Sequence, residues 1–112
     1  FDDVQDNFTI MKEEPFGPLV PVLTFKDFDE VVERANNNDL GLCSYLYTNS
    51  MDKANRASEM METGCVAVNT AAVAVAEAPF GGIKQTGYGR EGGSMAIKDY
   101  LNIKYTHMGL KT

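Results

Sequence analysis

Residues 42–69 read LCSYLYTNSMDKANRASEMMETGCVAVN, and this stretch determines the fold class. Both of its ends are short apolar runs, which favour buried strands. Between them, Asn49 or Ser50 can cap a helix that runs through Met61, and Gly64 is predicted to stop it in a left-handed conformation. A strand, a helix and a second strand in this order predict a βαβ unit.

The same alternation is present on the N-terminal side. Leu19–Phe25 is apolar and β-branched, which predicts a strand with a proline near its start or at a sheet edge. Asp27 then has the position of a helix cap, with Glu30 at capping-box spacing. The helix is predicted because apolar side chains recur on one of its faces, namely Phe28, Val31, Val32 and Ala35.

The C-terminal third is less regular. Thr70–Gly89 predicts a long loop, Gly93–Tyr100 a short helix and Leu101–Met108 a final strand. The chain is therefore predicted to be an α/β protein, a layered sheet with flanking helices. Structureless loops of some twenty residues are usually functional or packed against another part of a protein, so we expect this segment to belong to a larger unit.

Composition narrows the classes of partner. The net charge is −6, from ten basic and sixteen acidic residues, and the basic residues are scattered, which argues against a nucleic-acid partner. No apolar run approaches the ~20 residues that cross a membrane. Cys43 and Cys65 lie in apolar segments, which predicts reduced, buried thiols and a cytoplasmic protein.

The first motif is Glu-Glu-Pro-Phe-Gly-Pro at residues 13–18. Its two prolines disfavour helical backbone before them, so Glu14 and Phe16 are expected on one side of an extended segment. A carboxylate there can accept hydrogen bonds from the two adjacent hydroxyls of a ribose, and an aromatic ring can pack beside a nicotinamide. The alternative is a solvated Glu pair before a Phe that anchors a strand in the core.

The second motif is Ala-Pro-Phe-Gly-Gly-Ile-Lys at residues 78–84, followed by Gly-Tyr-Gly-Arg-Glu at 87–91. In this order the two motifs resemble the C-terminal part of the NAD(P)-dependent aldehyde dehydrogenase family, over residues 10–110. Succinate-semialdehyde dehydrogenases are the subgroup that the sequence most resembles. The resemblance implies NAD or NADP as cofactor, with Glu14 gripping the nicotinamide ribose and Phe16 positioning the ring.

The resemblance also implies a substrate tunnel lined by Asn69, Ala74 and Phe80, although a core role for Phe80 stays open. The subgroup often has a serine in the loop after Asn69, where this chain has alanine and valine, so the aldehyde stays open. The family's nucleophile, general base and phosphate-binding half are expected upstream of Phe1. We therefore assign no catalytic residue here and predict that these 112 residues alone are inactive.

The family pattern divides the chain at residue 100. Residues 1–100 are predicted to be the C-terminal portion of the catalytic domain, and residues 101–112 an oligomerisation strand and tail. In the family the terminal strand extends the sheet of a neighbouring subunit, so a homo-oligomer is implied. A small-molecule aldehyde is the other expected partner, with no nucleic acid and no membrane.

Two alternative functions and one further motif remain to be considered. The chain could be a stand-alone interaction module without a cofactor, or a small enzyme that uses Cys43 or Cys65 with His107. Residues 87–92 match Gly-x-Gly-x-x-Gly, but no strand precedes them, so we interpret them as a turn into the last helix instead of a phosphate site. Arg90 and Glu91 are predicted to form structural ion pairs.

Overall fold

The computed structural model describes residues 1–110, so Lys111 and Thr112, the end of the predicted oligomerisation segment, lie outside the described residues. Its helices and strands are α1 (Phe28–Asn36), β1 (Leu40–Gly41), β2 (Cys43–Leu46), α2 (Met51–Met60), β3 (Cys65–Val68) and β4 (Ile83–Lys84). Short 3-10 helices cover Thr9–Met11 and Ala96–Tyr100. None of the helices in the described part is both long and apolar enough to cross a membrane.

The predicted βαβ unit is confirmed. Strands β2 and β3 pair in parallel, with Cys43 opposite Cys65 and Leu46 opposite Val68. Strand β1 pairs with β4 in antiparallel fashion instead of joining them. The described residues therefore contain two separate two-stranded sheets, and the continuous layered sheet is not formed within them.

Helix α1 begins as the capping pattern predicts. The Asp27 side chain accepts a hydrogen bond from the Glu30 amide at 2.9 Å. The Glu30 carboxylate in turn accepts one from the amide of Lys26 at 2.8 Å, one residue earlier than in the usual capping box. The first bond engages a backbone donor that the start of a helix leaves without a partner, and the second ties down the residue before the cap.

Helix α2 is capped by Ser50, whose hydroxyl accepts from the Lys53 amide at 3.3 Å. The helix ends at Met60, and Met61 is already extended. The prediction that Gly64 ends it in a left-handed conformation is wrong, because Gly64 is not among the residues with positive φ. Gly64 is required for a different reason, a close backbone contact described below.

The two helices are joined along their surfaces and at their ends. Arg56 of α2 binds Asp29 at 2.7 Å and lies 4.5 Å from the centre of the Phe28 ring. At the other end, the side-chain amide of Asn36 donates to the Met60 carbonyl and accepts from the backbone amide of Glu62, both at 2.8 Å. The buried apolar core of the described residues consists of Val32, Ala54, Ala57 and Ala67.

The strand predicted at Leu19–Phe25 is absent from the structure. The backbone of the segment instead pairs with the chain start: the Phe1 ammonium donates to the Val20 carbonyl, and the Val22 amide donates to the Phe1 carbonyl. Pro21 also lacks the backbone N–H that a strand ladder needs. An apolar, β-branched pattern predicts extended backbone, but a strand requires a second strand beside it.

The C-terminal predictions were met only in part. Of the helix predicted at Gly93–Tyr100, residues 96–100 form a 3-10 helix. Leu101–Met108 forms no strand with the described part of this chain, and its side chains are exposed. Pairing with a neighbouring subunit therefore stays a prediction.

Replacing the α1 cap tests the helix boundary. We expect Asp27→Ala to lower the free energy of unfolding by about 1 kcal/mol, because the Glu30 amide loses its acceptor. Asp27→Asn keeps an acceptor and should cost less than half as much. Urea-induced unfolding of both variants measures the difference, and equal losses would contradict the assigned cap.

Candidate functional site

The turn of the second motif is held by a contact between two glycine backbones. A Cβ built on Gly64, at the start of β3, would overlap the carbonyl of Gly81. A Cβ on Gly81 would in turn lie 2.5 Å from the Gly89 carbonyl oxygen. Real Cβ atoms do not approach backbone this closely, so only glycine allows the turn to lie against β3.

The other end of the turn is fixed against β1. The Thr86 hydroxyl accepts a hydrogen bond from the Gly41 amide at 2.8 Å. The Thr86 methyl group fills the space that a side chain at residue 82 would need. Gly82 therefore makes room for Thr86, whose hydroxyl ties the turn to β1.

Phe80 begins this turn. Its amide donates to the Glu91 carbonyl at 2.7 Å, and the Glu91 amide donates back to the Phe80 carbonyl at 2.8 Å. The residue is half-buried and lines an open cavity of about 300 Å³ with Leu42 and Tyr100. It is therefore placed by a backbone bridge, at a rim where one side of its ring can meet a ligand or another part of a protein.

The loop at residues 87–92 is closed by hydrogen bonds of Arg90. The Arg90 guanidinium donates to the carbonyls of Gly82 at 2.9 Å and Gly89 at 2.7 Å. Its amide donates to the Asp99 carboxylate at 2.9 Å. The predicted ion pairs of Arg90 and Glu91 are wrong for the described residues, because backbone carbonyls take the guanidinium hydrogens instead.

The first motif presents its two candidate cofactor residues to solvent. Glu14 is exposed, and Phe16 is 97% exposed. Phe16 is therefore no core anchor of the described chain, contrary to the alternative drawn from the sequence. Glu14 lines a cavity of about 570 Å³ together with Cys43 and Thr63. The Glu14 carboxylate thus lies at a cavity, and the Phe16 ring two residues further on is open to solvent.

Asn69 has a backbone role that the sequence reasoning missed. Its side-chain amide accepts from the Thr48 amide and donates to the Thr48 carbonyl, both at 2.9 Å. The side chain thereby extends the β2–β3 ladder by one step beyond the strands. Its φ of 55° lies in the left-handed region, which Asn tolerates better than most residues. An Asn directly after an apolar strand was the available signal.

No hydrogen bond of the described residues connects any two of the three predicted tunnel residues. The Asn69 side chain pairs with Thr48, Phe80 lies at the bridge to Glu91, and Ala74 is exposed in the loop after β3. The tunnel assignment therefore stays a prediction. Within the described residues, no group of three or more potential metal ligands is present.

The two cysteines face each other across β2 and β3 and are free thiols. They are half-buried, so the prediction of buried thiols is met only in part. The Cys65 thiol lies 3.8 Å from the Gly81 carbonyl, and burial raises the pKa of the Cys43 thiol. His107 instead lies 3.3 Å from the Tyr105 hydroxyl, so the described contacts give neither thiol a histidine base.

The glycine contact predicts a large effect of a single methyl group. Gly64→Ala should lower the free energy of unfolding by about 3 kcal/mol, because the new Cβ would overlap backbone that cannot move aside easily. Gly17→Ala is the matched control, since nothing lies within 4 Å of its added Cβ. Urea titration of both variants is the measurement, and similar midpoints would refute the contact.

The Asn69 pairing predicts a graded series. Asn69→Ala should cost about 2 kcal/mol, because two hydrogen bonds are lost and alanine is strained at positive φ. Asn69→Gly loses the same bonds without the strain and should cost about 1 kcal/mol less. Thermal unfolding of the two variants would contradict this role if glycine were the more damaging replacement.

Known proteins of one family match almost the whole length of this chain. The model of the aldehyde dehydrogenase family matches residues 1–106. A 3-sulfolactaldehyde dehydrogenase of Pseudomonas putida is 50% identical over 107 residues, which is 96% of this chain and 22% of that protein. An NADP(+) succinate-semialdehyde dehydrogenase of Escherichia coli K12 is 45% identical over 108 residues, again 96% and 22%.

A solved structure agrees with the sequence relatives. An NAD+ complex of an aldehyde dehydrogenase from Bacillus cereus superposes with a TM-score of 0.89 at 44% identity, covering 92% of this chain and 21% of that one. The chain thus spans about a fifth of the length of the curated relatives it matches. On the family match and this structural agreement, the chain belongs to the aldehyde dehydrogenase family.

Proposed function

We propose that this chain is the C-terminal part of an NAD(P)-dependent aldehyde dehydrogenase that oxidises a semialdehyde to its acid. The observation that carries the proposal is the first motif, in which Glu14 is exposed and lines a cavity and Phe16 is almost fully exposed, in a member of this family. The proposed parent enzyme is cytoplasmic, with NAD or NADP as cofactor.

The small core supports the proposal that these residues are one part of a larger unit. The buried core consists of four small or medium side chains among the described residues. Large apolar side chains are fully or almost fully exposed at Phe16, Tyr88, Ile103 and Leu110. Burial of apolar area is the main favourable term in folding. Exposed apolar groups in this number therefore indicate surfaces that other segments cover.

In the proposed enzyme the first motif holds the nicotinamide end of the cofactor. The Glu14 carboxylate accepts hydrogen bonds from the two ribose hydroxyls, and the Phe16 ring packs beside the nicotinamide. Bound NAD(P)+ supplies the hydride acceptor for oxidation of the aldehyde. Neither residue reacts, and both fix the distance between the cofactor and the aldehyde, on which the rate depends.

The second motif and the loop before it form one wall of the proposed aldehyde tunnel. Phe80 is fixed at its rim by the bridge to Glu91, and Ala74 lies in the exposed loop. Asn69 holds the start of that loop through Thr48. Alanine and valine side chains exclude water but give a charged substrate no partner, so the carboxylate of a semialdehyde would be held by residues outside this wall.

Succinate semialdehyde or a related semialdehyde is the proposed substrate. Two relatives support this choice, since one is named for succinate semialdehyde and the other for 3-sulfolactaldehyde, and both aldehydes carry an anionic group. Leu101–Met108 is proposed to pair with a neighbouring subunit of a homo-oligomer. Its residues are exposed and form no strand within the described chain, so their backbone amides and carbonyls are accessible to such a partner.

A matched pair of carboxylate variants tests the cofactor role. In the enzyme that contains this chain, Glu14→Gln should raise KM for NAD(P)+ about tenfold, because charge-assisted hydrogen bonds to ribose become neutral ones. Glu13→Gln removes the same charge one residue earlier and should change KM less than twofold. Initial rates with succinate semialdehyde and varied cofactor provide both values.

Equal effects of the two variants would refute the assignment of Glu14. If the enzyme reduced no NAD(P)+ with any of succinate semialdehyde, glutarate semialdehyde or 3-sulfolactaldehyde, the proposed activity itself would fail, and a stand-alone interaction module would describe the chain better. The 112 residues expressed alone should give no turnover above a blank treated with a thiol-alkylating reagent.

A further inference from the structure

Cys43 and Cys65 occupy equivalent positions on adjacent strands. They are direct partners in the parallel register of β2 and β3, and each is the first residue of its strand. Side chains of register partners leave a sheet on the same face. Nothing in the proposed dehydrogenase reaction uses either thiol.

The spacing of the two strands is compatible with a covalent bond. Adjacent strands lie roughly 4.8 Å apart, and disulfides join residues whose Cα atoms are about 4.4–6.8 Å apart. The strand spacing also exceeds the usual disulfide Cβ separation of about 3.8 Å, so closing the bond requires the strands to move slightly together. Such a bond is strained and more easily reduced than a structural disulfide.

Both thiols have the surroundings that reversible chemistry needs. Each is half-buried and free, so neither is sealed in the core. Cys43 lines the cavity of about 570 Å³ beside the first motif, which gives a small reagent a route to its sulfur. Cys65 faces the Gly81 carbonyl at 3.8 Å, a weak contact that costs little to break.

We propose that Cys43 and Cys65 form a reversible intramolecular disulfide by exchange with a small-molecule disulfide. The Cys43 thiolate attacks one sulfur of the reagent, which forms a mixed disulfide and expels one small thiolate. The Cys65 thiolate then attacks the Cys43 sulfur, which forms the bond between the strands and expels the second small thiolate. Two protein thiols are oxidised, the reagent is reduced to two thiols, and their protons pass to solvent or to the departing thiolates.

The bond would connect redox state to the second motif. Oxidation removes the thiol hydrogen that Cys65 directs toward the Gly81 carbonyl. The turn beginning at Phe80 rests on this same region through the contact between Gly64 and Gly81. The oxidised and reduced chains therefore differ where the candidate site is supported.

Peptide mapping of the chain tests the bond directly. The protein is equilibrated with glutathione at increasing ratios of oxidised to reduced form, alkylated with iodoacetamide and digested with trypsin without reduction. Cleavage after Lys53 and Arg56 separates the cysteines, so the expected product is peptide 35–53 joined to peptide 57–84. It should come from monomeric chains on a non-reducing gel and disappear after dithiothreitol.

Two results would overturn the proposal. One is that, at the most oxidising ratio, each cysteine is recovered either alkylated, and therefore still reduced, or bound to glutathione. The other is that the joined peptides come only from covalent dimers. Cys65→Ser serves as the control, since Cys43 should then stop at the mixed disulfide. The wild-type mapping decides the question even if this variant does not fold.

The rate of the exchange should depend on pH in a defined direction. Burial, and then the neighbouring Cys65 thiol, raise the pKa of Cys43, so its thiolate is scarcer at neutral pH than that of an ordinary cysteine. Bond formation should therefore be slow near pH 7 and still accelerate above the ordinary thiol pKa of about 8.5. A rate that levels off well below that pH would contradict Cys43 as the attacking thiol.

Discussion

The arrangement of this chain depends on one steric constraint, the passage of the Gly64 backbone directly against that of Gly81. Because neither residue has a side chain, the turn of the second motif lies on the start of β3 instead of one side-chain layer away. The hydroxyl of Thr86 can then reach the Gly41 amide, and Phe80 can bridge Glu91. The motif is thus a packing device before it is a functional one.

What the sequence predicted correctly was local. The cap of α1 by Asp27 and the cap of α2 by Ser50 depend on hydrogen bonds to residues three positions away. What it could not predict was set by distant partners. Lys84 donates to the carbonyls of Asn36 and Asn38 at 2.8 and 3.0 Å and pairs with Glu62, and no local pattern specifies such contacts. The role of Gly64 was likewise misassigned, because a close contact leaves no sign in neighbouring residues.

The two unformed strands show the same limit from the other side. Leu19–Phe25 and Leu101–Met108 have the composition of strands, but neither forms a strand within the described chain. Composition favours extended backbone and apolar faces, whereas pairing depends on a second segment at the right distance. By contrast, β2 and β3 formed as predicted because α2 connects them within one short unit.

The candidate site likewise has residues suited to a ligand but depends on other surfaces to bind it. Glu14 is exposed and Phe16 is almost fully exposed here, so a ribose that bound the Glu14 carboxylate would mainly exchange water for sugar hydroxyls, a net gain of roughly 1.5–3 kcal/mol per bond to the charged group. Such a gain becomes useful affinity only where other surfaces exclude water and orient the cofactor. The small core and the exposed clamp are therefore two consequences of one condition. In the proposed enzyme, the surface that covers the apolar groups of this chain also completes its cofactor site.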